Sequence, residues 1–370
     1  MAQKRFGVGI VGLQPGRSWA AVAHVPALRA LPDDFDLVGV ANTSRESAEK
    51  AAAAMDIGRA FAGVAELVAA PEVDVVAVTV KVPHHREIVK AAIVAGKHVY
   101  CEWPLGNGLA EAEELARLAR ENGVLGVVGT QARVAPEIVH LRRLIEDGYV
   151  GKLLSTTLIA RPGGWGGSIP EKRTSAYLLD RANGATMLTI PVGHTLAALR
   201  DVLGDIAELS SVVATRRAEA VALDTGETLP VTAPDQVLVS GFLAGGAPVS
   251  IHYRGGSARG GEGLVWEING TDGDIRVTGS SGHAQMVQLS LAGGRGDDKE
   301  IKPLEVPAEL RAGWPDDVVP GNVARVYARM AADLRDDTRT APSFDDAVAV
   351  HRIITAIEEA ADDGRRTASG

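Results

Sequence analysis

The chain has 370 residues, 46% hydrophobic and 23% charged, with a formal net charge of -9. That length exceeds one ordinary domain and allows two cores, while the acidic balance argues against a nucleic-acid-binding surface, which needs a basic face for phosphate. One cysteine, Cys101, excludes an intrachain disulfide, and no metal-ligand spacing is visible. Cys101 lies in an apolar run and reads as a buried structural thiol. Met1 to Lys4 lead straight into a strand pattern, with no signal-peptide signature and no run long enough to span a membrane, so a cytoplasmic protein is expected.

From residue 5 to 130, short apolar runs alternate with helical patterns. The runs are Gly7–Leu13, Phe35–Ala41, Val73–Val80, His98–Cys101 and Val124–Gly129; Ala20–Ala30, Arg45–Met55, Val64–Ala69, His84–Ala95 and Leu109–Asn122 lie between them. Continuous apolar strands separated by amphipathic helices predict a parallel sheet covered on both faces. Residues 1–130 are thus expected to form a Rossmann dinucleotide-binding domain of α/β type. Pro136–Asp147 reads as a further helix, and at Gly151 the rhythm changes. Longer strands follow at Leu153–Ala160, Ile206–Thr215, Gln236–Leu243, Pro248–Tyr253, Gly263–Gly270, Asp274–Thr278 and Met286–Ala292, punctuated by turns such as Thr271-Asp272-Gly273-Asp274. One helix, Asn183–Leu203, interrupts them. Residues 131–370 are therefore expected to form an α+β domain with an open, mostly antiparallel sheet covered by helices on one face. Two closing helices, 321–336 and 344–362, are expected to pack back on the first domain. The tail from Gly364 is expected to fray.

Three segments carry cofactor chemistry. The stretch Gly9-Ile10-Val11-Gly12-Leu13-Gln14-Pro15-Gly16 follows the first strand and leads into a helix, where glycines let backbone amides approach a pyrophosphate. Gln14 stands where a second glycine is usual, so Gly12, Leu13, Gln14 and Gly16 are the candidate contacts. The second strand ends in Asn42-Thr43-Ser44-Arg45, without the acidic residue that binds both ribose hydroxyls in NAD-preferring sites. Asn42, Ser44 and Arg45 suit a 2′-phosphate, so NADP(H) is favoured and NAD(H) remains possible; Ser44-Arg45 also reads as a helix N-cap beside a solvated arginine. The third segment, Thr79-Val80-Lys81-Val82-Pro83-His84, lies at a strand's carboxyl end, outside which ligands of such sheets bind. Thr79, Val80 and His84 are candidate cofactor contacts. Lys81 is a candidate proton carrier, with a solvated loop lysine as the other reading.

The strand His98–Cys101 closes on Glu102-Trp103-Pro104. With the preceding motifs, this resembles the glucose-fructose oxidoreductase / inositol dehydrogenase / MocA (Gfo/Idh/MocA) family over nearly the whole chain. In most of that family the middle residue is a lysine that helps move the proton accompanying hydride transfer. Trp103 cannot do so near neutral pH. The resemblance implies that Glu102 and Trp103 lie at the cofactor, with Trp103 also a substrate wall. Asn183-Gly184 through Gly193-His194 resembles the family's second catalytic segment, Asp-x-x-x-His on one helix face. His194 is retained and Ile190 replaces the aspartate. An imidazole pKa near working pH would suit His194 to acid–base work; a core histidine is the alternative. Gly163-Gly164-Trp165-Gly166, Tyr177, Asp180, Asn183-Gly184, His194-Thr195 and Tyr253-Arg254-Gly255-Gly256 resemble the branch that includes the fungal galactose-regulon repressor, which also has Glu-Trp at the strand end.

Trp165 in its glycine-rich loop is a candidate flat wall for a polyhydroxyl substrate or a core anchor. Tyr177 and Asp180 are candidate hydroxyl partners or backbone caps. Arg133 is a candidate contact to an anionic or polyhydroxyl substrate or a salt-bridge member. The expectation is an NAD(P)-dependent oxidoreductase acting on a sugar, cyclitol or related carbinol, ketone or imine carbon. Its candidate proton carriers are His194, Lys81 and Tyr177. A non-catalytic dinucleotide-binding sensor and a redox-neutral enzyme with tightly held cofactor are the alternatives. Neither a nucleic-acid nor a membrane partner is expected, and no metal. The resemblance implies a homo-oligomer formed through the second domain's sheet.

Overall fold

A computed structural model describes residues 4–364 and 367–368. It divides into two compact units, Met1–Gln131 with Gly313–Val348, and Ala132–Ala312 with Ala349–Gly370. In the first unit, the described residues form a six-stranded sheet of β1 (Phe6–Val11), β2 (Phe35–Ala41), β3 (Arg59–Phe61), β4 (Val75–Val78), β5 (His98–Glu102) and β6 (Gly126–Gly129), in the order β3-β2-β1-β4-β5-β6. All neighbours are parallel. Every residue of β1, β4 and β6 is buried, as strands covered on both faces require. The helices α1 (Val25–Arg29), α2 (Arg45–Ala54), α3 (Val64–Ala69), α4 (His85–Val94) and α5 (Leu109–Glu121) connect or flank these strands. In α5, Ala112, Leu115, Ala116 and Ala119 recur at three- and four-residue spacing and form its buried stripe. The chain order reverses between β1 and β4, the switch point at which such sheets bind ligands. Sequence patterning missed β3, whose three residues are too few to show a period.

The second unit holds a nine-stranded sheet among the described residues. Its strands are β7 (Leu153–Ala160), β9 (Ile206–Ala214), β12 (Gln236–Leu243), β13 (Pro248–Arg254), β14 (Leu264–Gly270), β15 (Gly273–Gly279), β16 (Leu289–Arg295), β17 (Lys302–Pro303) and β18 (Thr367–Ala368). The order is β17-β16-β15-β14-β7-β13-β12-β9-β18, antiparallel throughout except for the parallel pair β7–β13. Thr367–Ala368 pairs with Glu208 and Leu209, so this part of the tail is not frayed as expected; the other residues beyond Gly364 lie outside those described. Alternate residues, Leu158, Val239, Ile251, Tyr253, Trp266, Ile268 and Val277, are buried on one face. The opposite face shows Ile159, Val212 and Leu238 at 42%, 56% and 39% exposure. On the covered side, α6 (Pro136–Glu146) packs against β16 and against α8 (Gly193–Leu203), and Ser211 Oγ donates to the Ile357 carbonyl.

A second, three-stranded sheet in this unit went unrecognised in the sequence. It consists of β8 (Ser168–Ile169), β10 (Glu219–Ala222) and β11 (Thr228–Pro230), and with the short α7 (Lys172–Ser175) nearby it surrounds a small core of Ile169, Leu179, Ala220 and Ala222. Of the closing helices, α9 (Val318–Asp336) lies in the first unit and packs on α1 and β6, while α10 (Phe344–Asp363) begins in the first unit and continues in the second.

Two histidine-bearing helices share an unusual local geometry. A wide π turn, Leu188–Val192, precedes α8, and Pro191 lies inside it. Proline has no N–H to offer the Met187 carbonyl, and the amide of Val192 binds that carbonyl instead, at 3.2 Å. Likewise Ala20–His24 is a π turn ahead of α1, in which the Val25 amide reaches the Ala20 carbonyl and Pro26 follows. His24 ends one wide turn, and His194 begins two residues beyond the other.

Candidate functional site

In the first unit, the glycine-rich loop is shaped by two left-handed residues, Gly12 (φ +99°) and Gly16 (φ +77°). A Cβ on Gly12 would lie 2.6 Å from Val80 Cγ1, so only glycine lets this loop approach the end of β4; the space around Gly16 is open. The buried Trp19 indole nitrogen has no hydrogen-bond partner among the described residues. A close-approach glycine, an open cradle and an orphaned N–H donor fit a dinucleotide pyrophosphate. Two expected donors are already engaged, however. The Leu13 amide donates to Asn42 Oδ1 at 2.9 Å, and the Gln14 amide donates to Ser18 Oγ at 2.9 Å.

Several predicted cofactor residues carry structural duties. Asn42 also donates to the Leu13 carbonyl at 2.9 Å and to Ser47, which pins the loop to the end of β2. Ser44 caps α2 by accepting from the Ser47 amide at 3.2 Å. Arg45 pairs with Glu66 at 2.8 Å, both half-exposed. The Thr79 hydroxyl donates to the Val11 and Gly12 carbonyls at 2.9 and 3.2 Å. Lys81 and His84 are exposed. The neighbouring His85 is instead buried, spanning the carbonyls of Pro104 and Val80 at 2.8 and 2.9 Å. Burial lowers its pKa although both carbonyls favour protonation.

The Glu102-Trp103-Pro104 segment anchors a buried polar chain at the carboxyl end of β5. Gln131 Nε2 donates to both Glu102 oxygens, at 2.8 and 3.0 Å, and His24 Nε2 lies 2.8 Å from Oε1. His24 Nδ1 lies 2.8 Å from the Tyr327 hydroxyl. A carboxylate only accepts, so Nε2 carries a proton toward Glu102. Burial, reinforced by the Glu102 charge, pushes the phenol pKa values of Tyr100 and Tyr327 well up, keeping both hydroxyls protonated. Gly129 makes room for the chain: a Cβ there would lie 2.7 Å from both Glu102 Oε1 and Gln131 Nε2. Trp103 is buried, at 5% exposure. Sequence reading missed Trp19, Gln131 and Tyr327 and used His24 only as supporting context for the glycine-rich turn. The partners of His24, Gln131 and Tyr327 lie up to 303 positions away, beyond the reach of any local pattern.

In the second unit, two glycine motifs meet. The Gly256 amide donates to the Gly164 carbonyl at 2.7 Å, and a Cβ on Gly255 would lie 2.2 Å from the Trp165 carbonyl. That close approach holds Trp165 at φ +53°, a conformation few non-glycine residues adopt. Its indole N–H donates to the Leu178 carbonyl at 3.0 Å, and its ring stacks on His283 with centroids 6.2 Å apart. Gln285 Nε2 lies 3.2 Å from His283 Nδ1. His194 is 3% exposed, and its Nδ1 has no hydrogen-bond partner among the described residues. The Tyr253 hydroxyl bridges the neighbours of both histidines, 2.6 Å from Thr195 Oγ1 and donating to the Gly282 carbonyl at 3.0 Å. Burial, then the nearby His283, lowers the His194 pKa to about 3, and burial lowers that of His283 to about 4. The ordinary imidazole pKa expected for His194 is thus corrected: desolvation of the charged form keeps it neutral.

Arg133 pairs with Asp201 at 2.7 Å, the salt-bridge reading of that residue. Asp180 is exposed, accepting from the Ala182 amide and from Thr232 Oγ1, both at 3.0 Å, as a turn cap. Tyr177 is half-buried, and burial raises its pKa. His283 and Gln285 are additions from the connection between β15 and β16, which bears no motif. Cys101 is buried and its thiol pKa is pushed well up, first by burial, as expected of a structural thiol. Among the described residues no cluster of potential metal ligands occurs, and no helix is long and apolar enough to cross a membrane.

Comparison with known proteins places each segment. Residues 6–130 match the model of the oxidoreductase family with an NAD-binding Rossmann fold, and residues 136–279 match that of the Gal80p C-terminal domain. The chain is 30% identical to the dehydrogenase aclE of Aspergillus oryzae, over 98% of both chains. It is 26% identical to the galactose/lactose metabolism regulatory protein GAL80 of Saccharomyces cerevisiae, over 95% of this chain and 91% of that protein. A crystal structure of a super-repressor mutant of Gal80p from the same yeast superposes with a TM-score of 0.89 at 24% identity, covering 99% of this chain and 98% of the other.

Proposed function

The chain belongs to the Gfo/Idh/MocA oxidoreductase family, in a branch resembling Gal80, with a nicotinamide-dinucleotide-binding first unit, and from that premise we propose that it is an oxidoreductase acting on a neutral sugar, cyclitol or related polyhydroxyl compound. Support for this reading comes from an uncharged histidine pair beside an indole wall in the second unit, a surface suited to hydroxyls. The bound nicotinamide would take up or deliver hydride at C4. Trp19, Gly12 and Gly16 would cradle the pyrophosphate. Ser44 and Arg45 would hold a 2′-phosphate, with Arg45 leaving Glu66, and NADP(H) is the cofactor favoured on this reading. The Glu102–His24–Tyr327 chain and Gln131 fix the strand end that presents Trp103.

Oxidation of a carbinol releases a proton from its hydroxyl as well as a hydride from its carbon. His194 is the residue proposed to accept the hydroxyl's hydrogen bond. Tyr177 and Lys81 are the further candidates for the proton itself. A base whose conjugate acid has a pKa of about 3 is a weak one at neutral pH, so His194 orients the hydroxyl more than it stores the proton. The test is a panel of sugars and cyclitols with either nicotinamide cofactor, followed by absorbance. His194→Ala is expected to lower turnover by about a hundredfold or more while changing nucleotide affinity less than about twofold. The kcat/KM profile is expected to lack a limb near pH 6.5, the value of an ordinary imidazole. An unchanged rate in the variant removes His194 from the mechanism.

A regulatory reading is favoured by one set of observations: Trp103 and Ile190 stand in both family catalytic posts, and the second unit matches the Gal80p C-terminal domain. On that reading the protein binds dinucleotide and a ligand or partner protein without turnover. Tight nucleotide binding with no turnover across the panel supports it. The homo-oligomer is proposed to form through the open face of the nine-stranded sheet, where Ile159, Val212 and Leu238 are exposed.

A further inference from the structure

We propose that His283 is a second ligand-binding imidazole, and that His283 and His194 together take the adjacent hydroxyls of an uncharged polyol over the indole of Trp165. The inference deepens the polyol reading above and rests on it. Three observations carry it. First, His194 Nδ1 is buried without a hydrogen-bond partner among the described residues, although buried polar atoms are nearly always paired. A ligand hydroxyl supplies the missing partner. Second, His283 has a defined donor direction. Gln285 Nε2 faces its Nδ1 at 3.2 Å; an amide NH2 donates, so Nδ1 is the acceptor and the proton resides on Nε2. His283 therefore offers an N–H, while the unpartnered His194 nitrogen takes whichever tautomer the ligand requires. A hydroxyl group both donates and accepts, and so meets both demands.

Third, the arrangement is braced from behind. The Tyr253 hydroxyl ties Thr195, next to His194, to the Gly282 carbonyl, next to His283. The Gly282 amide donates to the Arg161 carbonyl at 2.9 Å, and Ser281 Oγ donates to the Pro162 carbonyl at 3.0 Å. The same chain segment leads directly into Gly163-Gly164-Trp165, so the imidazole loop and the indole loop share one mounting. Trp165 then forms a fixed apolar plane stacked beside His283. The site has chemical consequences for its ligand. Both imidazoles are held neutral by burial. Neutral imidazoles offer a carboxylate no cation and an ammonium no anion. Neutral sugars and cyclitols are selected over uronates and amino sugars, because a charged group would be desolvated without compensation.

The test uses the full chain with histidine imidazoles labelled with nitrogen-15 and NADPH present. The probes are myo-inositol, D-xylose and levoglucosan, with glucuronate and glucosamine as charged counterparts. At least one neutral probe is expected to shift the His194 and His283 signals together, with both charged probes about tenfold weaker or worse. His283→Phe keeps a ring against Trp165 and is expected to weaken that neutral probe about tenfold, leaving NADPH affinity within about twofold. His283→Gln, which retains an N–H donor, is expected to recover part of the loss. The inference is overturned if no neutral probe moves either imidazole, if a probe moves His194 with equal affinity in His283→Phe, or if glucuronate binds as well as the neutral probes. These failures are separable from failure of the parent reading. A wild-type protein that oxidises a polyol with KM and kcat insensitive to His283→Phe leaves the oxidoreductase standing and removes His283. A wild-type protein that binds no nicotinamide nucleotide removes the parent reading itself.

Discussion

Arg45 shows how a residue's candidate role depends on its ground-state partner. Its guanidinium already pairs with Glu66, whose carboxylate is held below the usual range first by the Ala62 amide and also by Arg45. A 2′-phosphate must displace that carboxylate or share the cation with it. Arg45→Ala is expected to weaken NADPH about tenfold and NADH less than about twofold, as loss of one charge-assisted hydrogen bond implies. Glu66→Gln is expected to act in the opposite direction on NADPH alone. Fluorescence titration of both nucleotides checks the pair, and equal loss of NADH and NADPH in Arg45→Ala removes the phosphate role. At this scale the sequence was a partial guide. It marked Gly12 and Gly16, whose left-handed conformations follow from residue type, and Trp165, whose glycine neighbours signal close backbone approach. It could not show that Asn42 and Thr79 spend their polar groups on the loop, because those bonds join residues 29 and 67 or more positions apart.

At the scale of elements, the parallel half was legible because each of its longer strands is an unbroken apolar run between amphipathic helices. The large sheet was legible from alternation and turn residues. What escaped were pieces of two to four residues, β3, β8, β10 and β11, too short to show a period. Missed too was the loop between β15 and β16, where His283 has significance only through Trp165 and Gln285. The brace joining that loop to α8 is a single hydroxyl. Tyr253→Phe leaves the Thr195 hydroxyl and the Gly282 carbonyl without their shared partner in a buried place, an expected cost of about 1–3 kcal/mol. Chemical denaturation measures it. A change below about 0.5 kcal/mol would mean the two segments are held by backbone packing alone.

For the whole molecule, three histidines with strongly lowered pKa values make acid stability a distinctive property. Burial lowers the pKa of His194 to about 3 and those of His283 and His351 to about 4. In the unfolded chain each titrates near 6.5. Above that pH both states are neutral and no penalty applies. As pH falls below it the unfolded chain binds protons that the folded one refuses, and stability drops by up to about 1.4 kcal/mol per pH unit for each histidine, until the folded values are reached. Denaturant melts at pH 7 and pH 5 are expected to show a large loss, and His283→Phe a smaller one. A flat profile between these values contradicts the lowered pKa values of all three. The open sheet face gives a second expectation at this scale. If copies associate through it, Val212→Glu with Leu238→Lys lowers the sedimenting mass at unchanged helix content. A wild-type protein that sediments as a monomer removes the proposal.

The wide turns ahead of α1 and α8 bear on ancestry as well as on geometry. A π turn accommodates one residue more than the α-helical turn it interrupts, so it is the scar an insertion leaves when the flanking helix keeps its facing. Pro191 makes such a scar hard to erase, because reverting to α-helical bonding needs an N–H that proline lacks. Relatives without proline here are therefore expected to be one residue shorter between Gly184 and His194, with the histidine still on the same side of the helix. An alignment in which proline loss and the gap vary independently would refute this history.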